Sequence, residues 1–412
     1  MALPKIIPAL ADLTQDLAGP VPVELLYAWA SGEQQPTRAA ALLDPFRLEG
    51  IVVSSDTSGL SRLTKERDLL DVLALISEPK QILHAIGVEI GGRPIGTWVA
   101  DNTQAYYPPS ISASTIVAAM SEAEQRITCE LSIGVGMCVH RGAFYELGGG
   151  FYGDDAHMVE AIAEHHAGPG QVLVTQGVRD ACGRSCSFGP HPAMAGLDDV
   201  PLYLLSDADP LPALAAKDRR YPHPYPPEFF QLLSGLKRAD PNDPVRKRIY
   251  EMYLRRKVVV FLARSRDSGN DYGPAALLDQ LVENVLVDAI VLGLEGARNH
   301  IAGVGGGIAI LTFDAPSAAL DAAHELRARC ASNSLAVKIG LASGPVLLFS
   351  NPRGPSGIAG SPVNIASKIS EDAGVAGQIH VAADVASQLD GLEKSNPFEV
   401  VLGGVTLHGY TV

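Results

Sequence analysis

Short apolar runs alternate along the chain with longer segments in which an apolar residue recurs every three or four positions. The β-branched run at 51–54 predicts a strand, and "RDLLDVLALISE" from Arg67 predicts a helix. A strand at 258–262 and the segment "GPAALLDQLVENVLVDAI" from Gly273 repeat this order. Two strands around a turn, a second helix and another strand follow each time. The pattern predicts an α+β fold in which a mixed or antiparallel sheet carries helices on one face.

The two units are predicted to be copies of one domain. "GDDAHMVEAIAEH" from Gly153 and "GSPVNIASKISED" from Gly360 share one frame at an offset of 207 residues. "SIGVGMCVHRG" from Ser132 aligns with "KIGLASGPVLL" from Lys338 at an offset of 206. Matches in one order at nearly one offset indicate a duplicated domain, because the period is far too long for a solenoid.

This division predicts an N-terminal helical segment outside the repeat (1–47), a first domain (48–206), a linker (207–256) and a second domain (257–412). The four prolines of "YPHPYPPEFF" from Tyr221 predict that this part of the linker has no regular structure. "VRKRIYEMYLRRK" from Val245 predicts a basic amphipathic helix. It either leans on the acidic body of the protein or binds a partner or a membrane surface.

Composition restricts the class of protein. The hydrophobic fraction of 47% and the charged fraction of 19% are globular values. A net charge of -14 argues against a nucleic-acid or anionic-membrane partner. The N-terminus is a poor signal peptide, and no apolar run is long enough to predict a transmembrane segment. Five unevenly spaced cysteines predict reduced thiols and a cytoplasmic location.

Two sets of polar residues suggest chemistry. Asp56 ends a predicted strand and Asp101 lies in the next strand-turn-strand region; such carboxylates can hold two Mg²⁺ ions, although each can also be a turn residue. In the second copy Ser361 is predicted to be a helix N-cap. Asn364 and Lys368 then share one helix face, which suits a phosphorylated ligand or is a solvated polar stripe.

The order of these motifs resembles that of class III nucleotidyl cyclases, the adenylate and guanylate cyclase family. The resemblance rests on "VVSSDTSGLS", "VADNTQAYYP", "GSPVNIASKI" and "AGQIHV", and it covers 48–206 and 257–412. It implies two ferredoxin-like domains that pair head to tail as a pseudo-heterodimer and build sites across their interface.

In one composite site, the resemblance makes Asp56 and Asp101 the ligands of two Mg²⁺ or Mn²⁺ ions. Asn364 would orient the ribose, Lys368 would replace the family's phosphate-binding arginine, and Ser361 would contact substrate. The implied reaction converts a purine nucleoside triphosphate, ATP first, into a 3′,5′-cyclic nucleotide and pyrophosphate.

The other composite site is expected to be inactive. Arg264 and either Gly306 or Gly307 are aligned with the two metal-binding aspartates, and His157 and Ala161 stand where Asn and Arg are expected. The first site also departs from the family, because glycines occupy the two base-reading positions and the late lysine position, Gly303, Gly357 and Gly404. His300, Arg298 and Arg353 lie near enough in sequence to replace them, or they are ordinary surface residues.

Three hypotheses follow for function. The chain is a weak single-site cyclase, a degenerate cyclase that senses a nucleotide, or a scaffold that binds a protein partner. The last two would use the linker or the N-terminal helices for signalling or binding.

Overall fold

The computed structural model describes residues 21–57, 68–98, 102–192, 200–211, 220–237, 240, 242–265, 273–296, 299–351, 354–371, 373–389, 391–392, 395–402 and 405–412. None of the described helices is long and apolar enough to cross a membrane. All five cysteines are unpaired; Cys129 is exposed and the other four are buried.

The first half of the chain contains two short helices followed by a sheet with its helices. In chain order the elements are α1 (Val23–Ala30), α2 (Pro36–Leu43), β1 (Arg47–Thr57), α3 (Leu69–Glu89), β2 (Arg93–Pro94), β3 (Thr103–Tyr107), α4 (Ala113–Glu130), β4 (Val135–Leu147), β5 (Gly150–Tyr152), α5 (Asp154–His165), β6 (Val172–Thr175), α6 (Gln176–Cys182), β7 (Cys186–Pro190) and β8 (Leu202–Ala208).

The second half repeats this series. Its elements are α7 (Pro227–Ser234), α8 (Pro244–Tyr253), β9 (Leu254–Arg264), α9 (Pro274–Leu292), β10 (Ile301–Gly305), β11 (Ile308–Phe313), α10 (Pro316–Ser332), β12 (Val337–Asn351), β13 (Gly354–Ala359), α11 (Ser361–Glu371), β14 (Ile379–Ala382), α12 (Ala383–Ala386), β15 (Asn396–Leu402) and β16 (Val405–Thr411).

The two sheets have the same topology. Their strand orders are β2-β3-β1-β4-β6-β8-β7, with β5 paired to β4, and β10-β11-β9-β12-β14-β16-β15, with β13 paired to β12. The β4–β6 and β12–β14 pairs are parallel, whereas the central strands β1 and β9 have antiparallel neighbours on both sides. The predicted fold, two tandem α+β domains with mixed sheets, is confirmed.

Each sheet is covered on both faces. Along β1, Ile51 and Val53 share a core with α3 and α4, whereas Val52 packs with α5. Along β9, Val258 and Val260 pack with α9 and α10, whereas Val259 and Phe261 pack with α11. Successive strand residues point to opposite faces, so the helices expected on one face are joined by α5 or α11 on the other.

Strand registers define which residues are equivalent in the two copies. Thr57 pairs with Val135 in the first copy, and Arg264 pairs with Val337 in the second. Val337 is therefore the counterpart of Val135, which corrects the alignment of Ser132 with Lys338. The β12–β13 hairpin is longer than the β4–β5 hairpin. An alignment without gaps cannot include these extra residues, so it pairs the strand before the hairpin with the wrong residues.

The repeat also includes a pair of helices ahead of each sheet. The pair α1–α2 precedes β1, and the pair α7–α8 precedes β9. The N-terminal helices, expected to lie outside the repeat, are thus the counterpart of the two linker helices. Their sequences share little beyond apolar spacing, which is why the relationship escapes sequence comparison.

Each helix pair packs against the hairpin of its own copy and against the first long helix of the other copy. Leu147 at the tip of the β4–β5 hairpin shares a core with α1, α2 and α9. The Trp29 indole of α1 donates a hydrogen bond to Asp279 of α9 at 2.8 Å. Reciprocally, Leu347 and Phe349 of β12 share a core with α7 and α3. The Phe349 ring lies 4.7 Å from that of Phe229, centroid to centroid.

The basic linker helix, α8, leans on the first domain. Arg246 is almost fully buried, and its guanidinium contacts the carboxylates of Asp68 and Asp71 at 2.5 and 2.6 Å. Tyr250 also donates a hydrogen bond to Asp68, which caps α3 by accepting from Leu70 N. Of the two interpretations of this helix, the structure supports the one in which it packs on the acidic body.

We expect Arg246→Met to destabilise the protein by about 2–3 kcal/mol, because it leaves two carboxylates without their buried partner. Arg248→Met is the matched control. Arg248 pairs with Glu228 on the surface, with both side chains more than half exposed, so its loss should cost about 0–1 kcal/mol. Urea unfolding checks the difference, and equal midpoints for the two variants would contradict it.

Candidate functional site

The residues expected to form the first half of a composite site lie at the end of β1. Asp56 is half-buried, is paired in register with Gly136, and lies on the α5 face of the sheet with Val52. The Ser55 and Thr103 hydroxyls, 2.5 Å apart, join this end of β1 to the start of β3. Asp101 lies outside the described residues, two positions before Thr103 in the chain.

The second half lies on α11 of the other domain. The helix begins at Ser361, and the Gly360 carbonyl accepts hydrogen bonds from Val363 N and Asn364 N at 3.0 and 3.4 Å. Ser361 is therefore the first helical residue rather than the predicted N-cap. Asn364 and Lys368 are half-buried and lie one turn apart, while the intervening apolar residues pack on the second sheet.

A glycine is required immediately before each of these helices. Gly153 and Gly360 have φ angles of 105° and 150°, a region that other residues rarely adopt. A Cβ atom on Gly360 would also lie only 3.0 Å from the Pro345 carbonyl oxygen. The glycine shared by the two repeated frames thus positions the helix start, independently of any ligand.

The equivalent of the Asp56 region in the second copy carries no carboxylate at the matching positions. Asp56 pairs with Gly136, and its counterpart Ala263 pairs with Lys338. The position aligned with Asp101 is Gly307. Arg264 is the counterpart of Thr57, so its alignment with Asp56 was wrong by one residue, a shift that moves a side chain to the other face of the sheet.

Arg264 makes contacts of its own on the α9 side. Its Nε donates to Asn284 Oδ1 at 2.7 Å, and its Nη1 donates to Glu283 Oε2 at 2.7 Å and to the Ser265 carbonyl at 3.2 Å. Beneath it, Asp288 accepts from Gly307 N at 3.1 Å. Burial raises the pKa of Asp288 to about 7, against the opposing effect of the backbone hydrogen bonds from the β10–β11 turn.

The two corners therefore differ in whether they fit a divalent cation. The Asp56 carboxylate offers the oxygen ligands that Mg²⁺ and Mn²⁺ prefer. Ala263 and Gly307 offer none, and the Arg264 guanidinium lies next to them, so this corner does not fit a metal ion. Among the described residues, no group of three or more His, Cys, Asp and Glu side chains lies close enough to hold a metal.

On the first copy's helix, the polar residues are used within their own domain. His157 and Ala161 are half-buried at the positions that match Asn364 and Lys368. Asp155 accepts from Ala143 N at 2.7 Å and lies 3.1 Å from His140 Nε2. Burial raises the pKa of Asp155, but these two contacts outweigh it and hold the pKa below its usual value.

No motif or spacing in the sequence indicates the contact between His140 and Asp155. The other ring nitrogen, Nδ1, lies 3.0 Å from Thr175 Oγ1, so the network joins three separate elements. The counterparts in the second copy are Ala342, Pro362 and Ala382, and the network is therefore specific to the first domain.

The two glycines at the expected base-reading positions lie on strands β10 and β13 of the second domain. Gly303 is buried at a bulge in β10, and Gly357 is buried in β13. His300 donates from Nδ1 to the Thr312 carbonyl at 2.7 Å and stacks on Phe313, which indicates a packing role. Arg298, Arg353 and Gly404 lie outside the described residues.

Comparison with solved structures identifies the fold. A class III adenylyl cyclase-like ATP-binding protein from Pseudomonas aeruginosa matches over 84% of this chain and 86% of its own, with 12% identity and a TM-score of 0.51. The adenylyl cyclase CyaB from the same organism matches over 39% of this chain and 95% of its own (13% identity, TM-score 0.36). The guanylate cyclase domain of RhGC from Catenaria anguillulae matches over 40% and 99% (14% identity, TM-score 0.36).

No protein-family model matches the chain, and neither does any curated protein. The match over most of both chains shows that this protein has the class III cyclase fold in two tandem copies. At 12% identity, the similarity shows the fold alone.

We expect Gly307→Ala to be more destabilising than Gly296→Ala. Both residues have positive φ, 81° and 77°, so each substitution carries a backbone cost of about 1–2 kcal/mol. Only at Gly307 would the new Cβ lie 2.5 Å from Asn284 Oδ1, displacing the acceptor of Arg264; at Gly296 it meets open space. This clash should add about 1–3 kcal/mol. Thermal unfolding measures both variants, and equal losses would show that the Arg264 and Asn284 contact is dispensable.

Proposed function

We propose that the chain is a single-site, class III cyclase-like protein. It binds a purine nucleoside triphosphate, most readily ATP, between the Asp56 corner of the first domain and the Asn364 face of the second. It converts this substrate slowly into the 3′,5′-cyclic nucleotide and pyrophosphate.

One observation carries the proposal: the two half-sites are retained in opposite copies. Asp56 stands where the second copy has Ala263, and Asn364 stands where the first copy has His157. Independent loss of function would not favour such complementary retention. The reciprocal packing of hairpins and helix pairs supports a pairing in which each domain faces the other.

Asp56, together with Asp101, would hold the divalent cations. When bound, such ions acidify the ribose 3′-hydroxyl and neutralise charge on the leaving pyrophosphate. Asn364 would orient the ribose so that the hydroxyl lies in line with the α-phosphate, a positioning effect that supplies much of the acceleration in such reactions. Lys368 would place one positive charge on the phosphates, and Ser361 lies at the helix start where phosphate oxygens are favoured.

Two features support slow turnover. Lys368 provides a point charge where the family has an arginine, and therefore lacks the bidentate fork that fixes phosphate geometry. Gly303 and Gly357 provide no side chain to recognise the base. ATP is the proposed substrate because the solved structure that matches 84% of this chain is described as an ATP-binding protein.

The same features favour a second candidate function. A protein that keeps the cation and ribose contacts but lacks base contacts can bind a nucleotide without turning it over. Such a sensor would signal through the helix pairs α1–α2 and α7–α8, which contact both domains and would be the surfaces available to a protein partner.

The full chain incubated with ATP and Mn²⁺ or Mg²⁺ should yield 3′,5′-cyclic AMP, detected by chromatography and mass spectrometry. Asp56→Asn should lower the yield at least about 100-fold, because the variant removes a metal-binding charge that acts in the transition state. Asp180→Asn is the matched control, since Asp180 is exposed on α6 of the same domain.

The outcomes separate the candidates. Nucleotide-dependent thermal stabilisation without product from ATP, GTP, CTP or UTP would establish the sensor and refute the enzyme. Neither stabilisation nor product with any of these nucleotides would refute both and leave a scaffold.

A further inference from the structure

The corner of the second domain that matches the Asp56 region has reversed its charge. Three substitutions act in the same direction: Asp56 is matched by Ala263, Gly136 by Lys338, and Thr57 by Arg264. Gly307 removes a fourth group, since it aligns with Asp101 in the sequence. We propose that this corner is a binding site for a small anion that carries a phosphate or carboxylate group.

A cavity of about 250 Å³ occupies this corner. It is large enough for an inorganic phosphate or a small dicarboxylate and is lined by Arg264, Lys338, Asn284, Ser265, Gly307 and Glu371. Gly307 forms part of the lining, and a Cβ there would lie 2.5 Å from Asn284 Oδ1 and 3.2 Å from Arg264 Cβ. The cavity in its present shape therefore requires glycine at this position.

The two cations approach the cavity from different sides of the sheet. The Arg264 side chain is 9% exposed and is fixed by its contacts with Asn284 and Glu283. Lys338 is half-buried on β12, and its Nζ donates to the Glu371 carbonyl at 3.0 Å, at the end of α11. An ammonium has three donor hydrogens, so this contact fixes its position and leaves it able to donate to an anion.

Three carboxylates lie near these cations, and Arg264 forms an ion pair with one of them, Glu283. Glu283 is 46% exposed and lies on the outer side of Arg264, where water screens it. Asp288 lies behind the β10–β11 turn and bonds its backbone. Glu371 is the one carboxylate among the described residues of the lining, which also contains the two cations. A phosphate or carboxylate suits this set, because both accept several charge-assisted hydrogen bonds at once.

Anion titrations of the full chain, followed by thermal unfolding at constant ionic strength, test this site. Phosphate, pyrophosphate and citrate serve as probes, with chloride making up the ionic strength. We expect at least one probe to raise the unfolding temperature by about 2–4 °C, the shift produced by roughly 1 kcal/mol of binding free energy in a domain of this size. The probes also distinguish phosphate from carboxylate ligands.

Lys338→Met should weaken the binding at least tenfold, whereas Lys247→Met, at an 80% exposed lysine on α8, should leave it unchanged. Ala263→Asp restores the carboxylate of the first copy beside Lys338 and should also abolish the effect. If Lys338→Met loses stability by itself, Ala263→Asp remains an independent test. No stabilisation by any probe would overturn the proposal. An equal shift in all variants would overturn it too, because anions that are excluded from the protein surface stabilise any native state without binding.

Discussion

The reciprocal packing of hairpins against helix pairs is the constraint on which the rest of the structure depends. The β4–β5 hairpin shares a core with α1, α2 and α9, and the β12–β13 hairpin shares a core with α7, α8 and α3. Each cluster contains residues from both copies, so neither domain buries its apolar surface fully without the other. A nonpolar core of this kind holds the two domains in one orientation more firmly than surface ion pairs could. The free energy gained from burial grows with the apolar area removed from water, whereas exposed ion pairs contribute little.

Once the domains are held together, the two corners at the ends of β1 and β9 are free to diverge. The first retains a carboxylate at Asp56, while the second has acquired Arg264 and Lys338 around a cavity. The helices diverge in the opposite sense: α11 keeps Asn364, and α5 uses Asp155 in contacts within its own domain. This reciprocal asymmetry is the pattern expected if one of two composite sites is kept, as in the proposed function.

Much of the fold could be predicted from the sequence, because apolar periodicity and the glycines at 153 and 360 report directly on strands, helices and their junctions. The register of β12 could not be predicted, because an ungapped comparison does not show the extra residues of its hairpin. A separate one-residue error in aligning β9 with β1 placed Arg264 opposite Asp56. The N-terminal helices were predicted, but their relation to α7–α8 was not, because that relation lies in packing rather than in sequence. Contacts such as His140 with Asp155 depend on three elements meeting in space, which spacing alone does not reveal.

The most direct test of the central claim, one composite site shared by two domains, is the stoichiometry of nucleotide binding. Equilibrium binding of a non-hydrolysable ATP analogue in the presence of Mn²⁺ should give one site per chain. The account predicts that Asp56→Asn in the first domain and Asn364→Ala in the second each abolish that same site. Two sites per chain, or a site that survives either substitution unchanged, would contradict it.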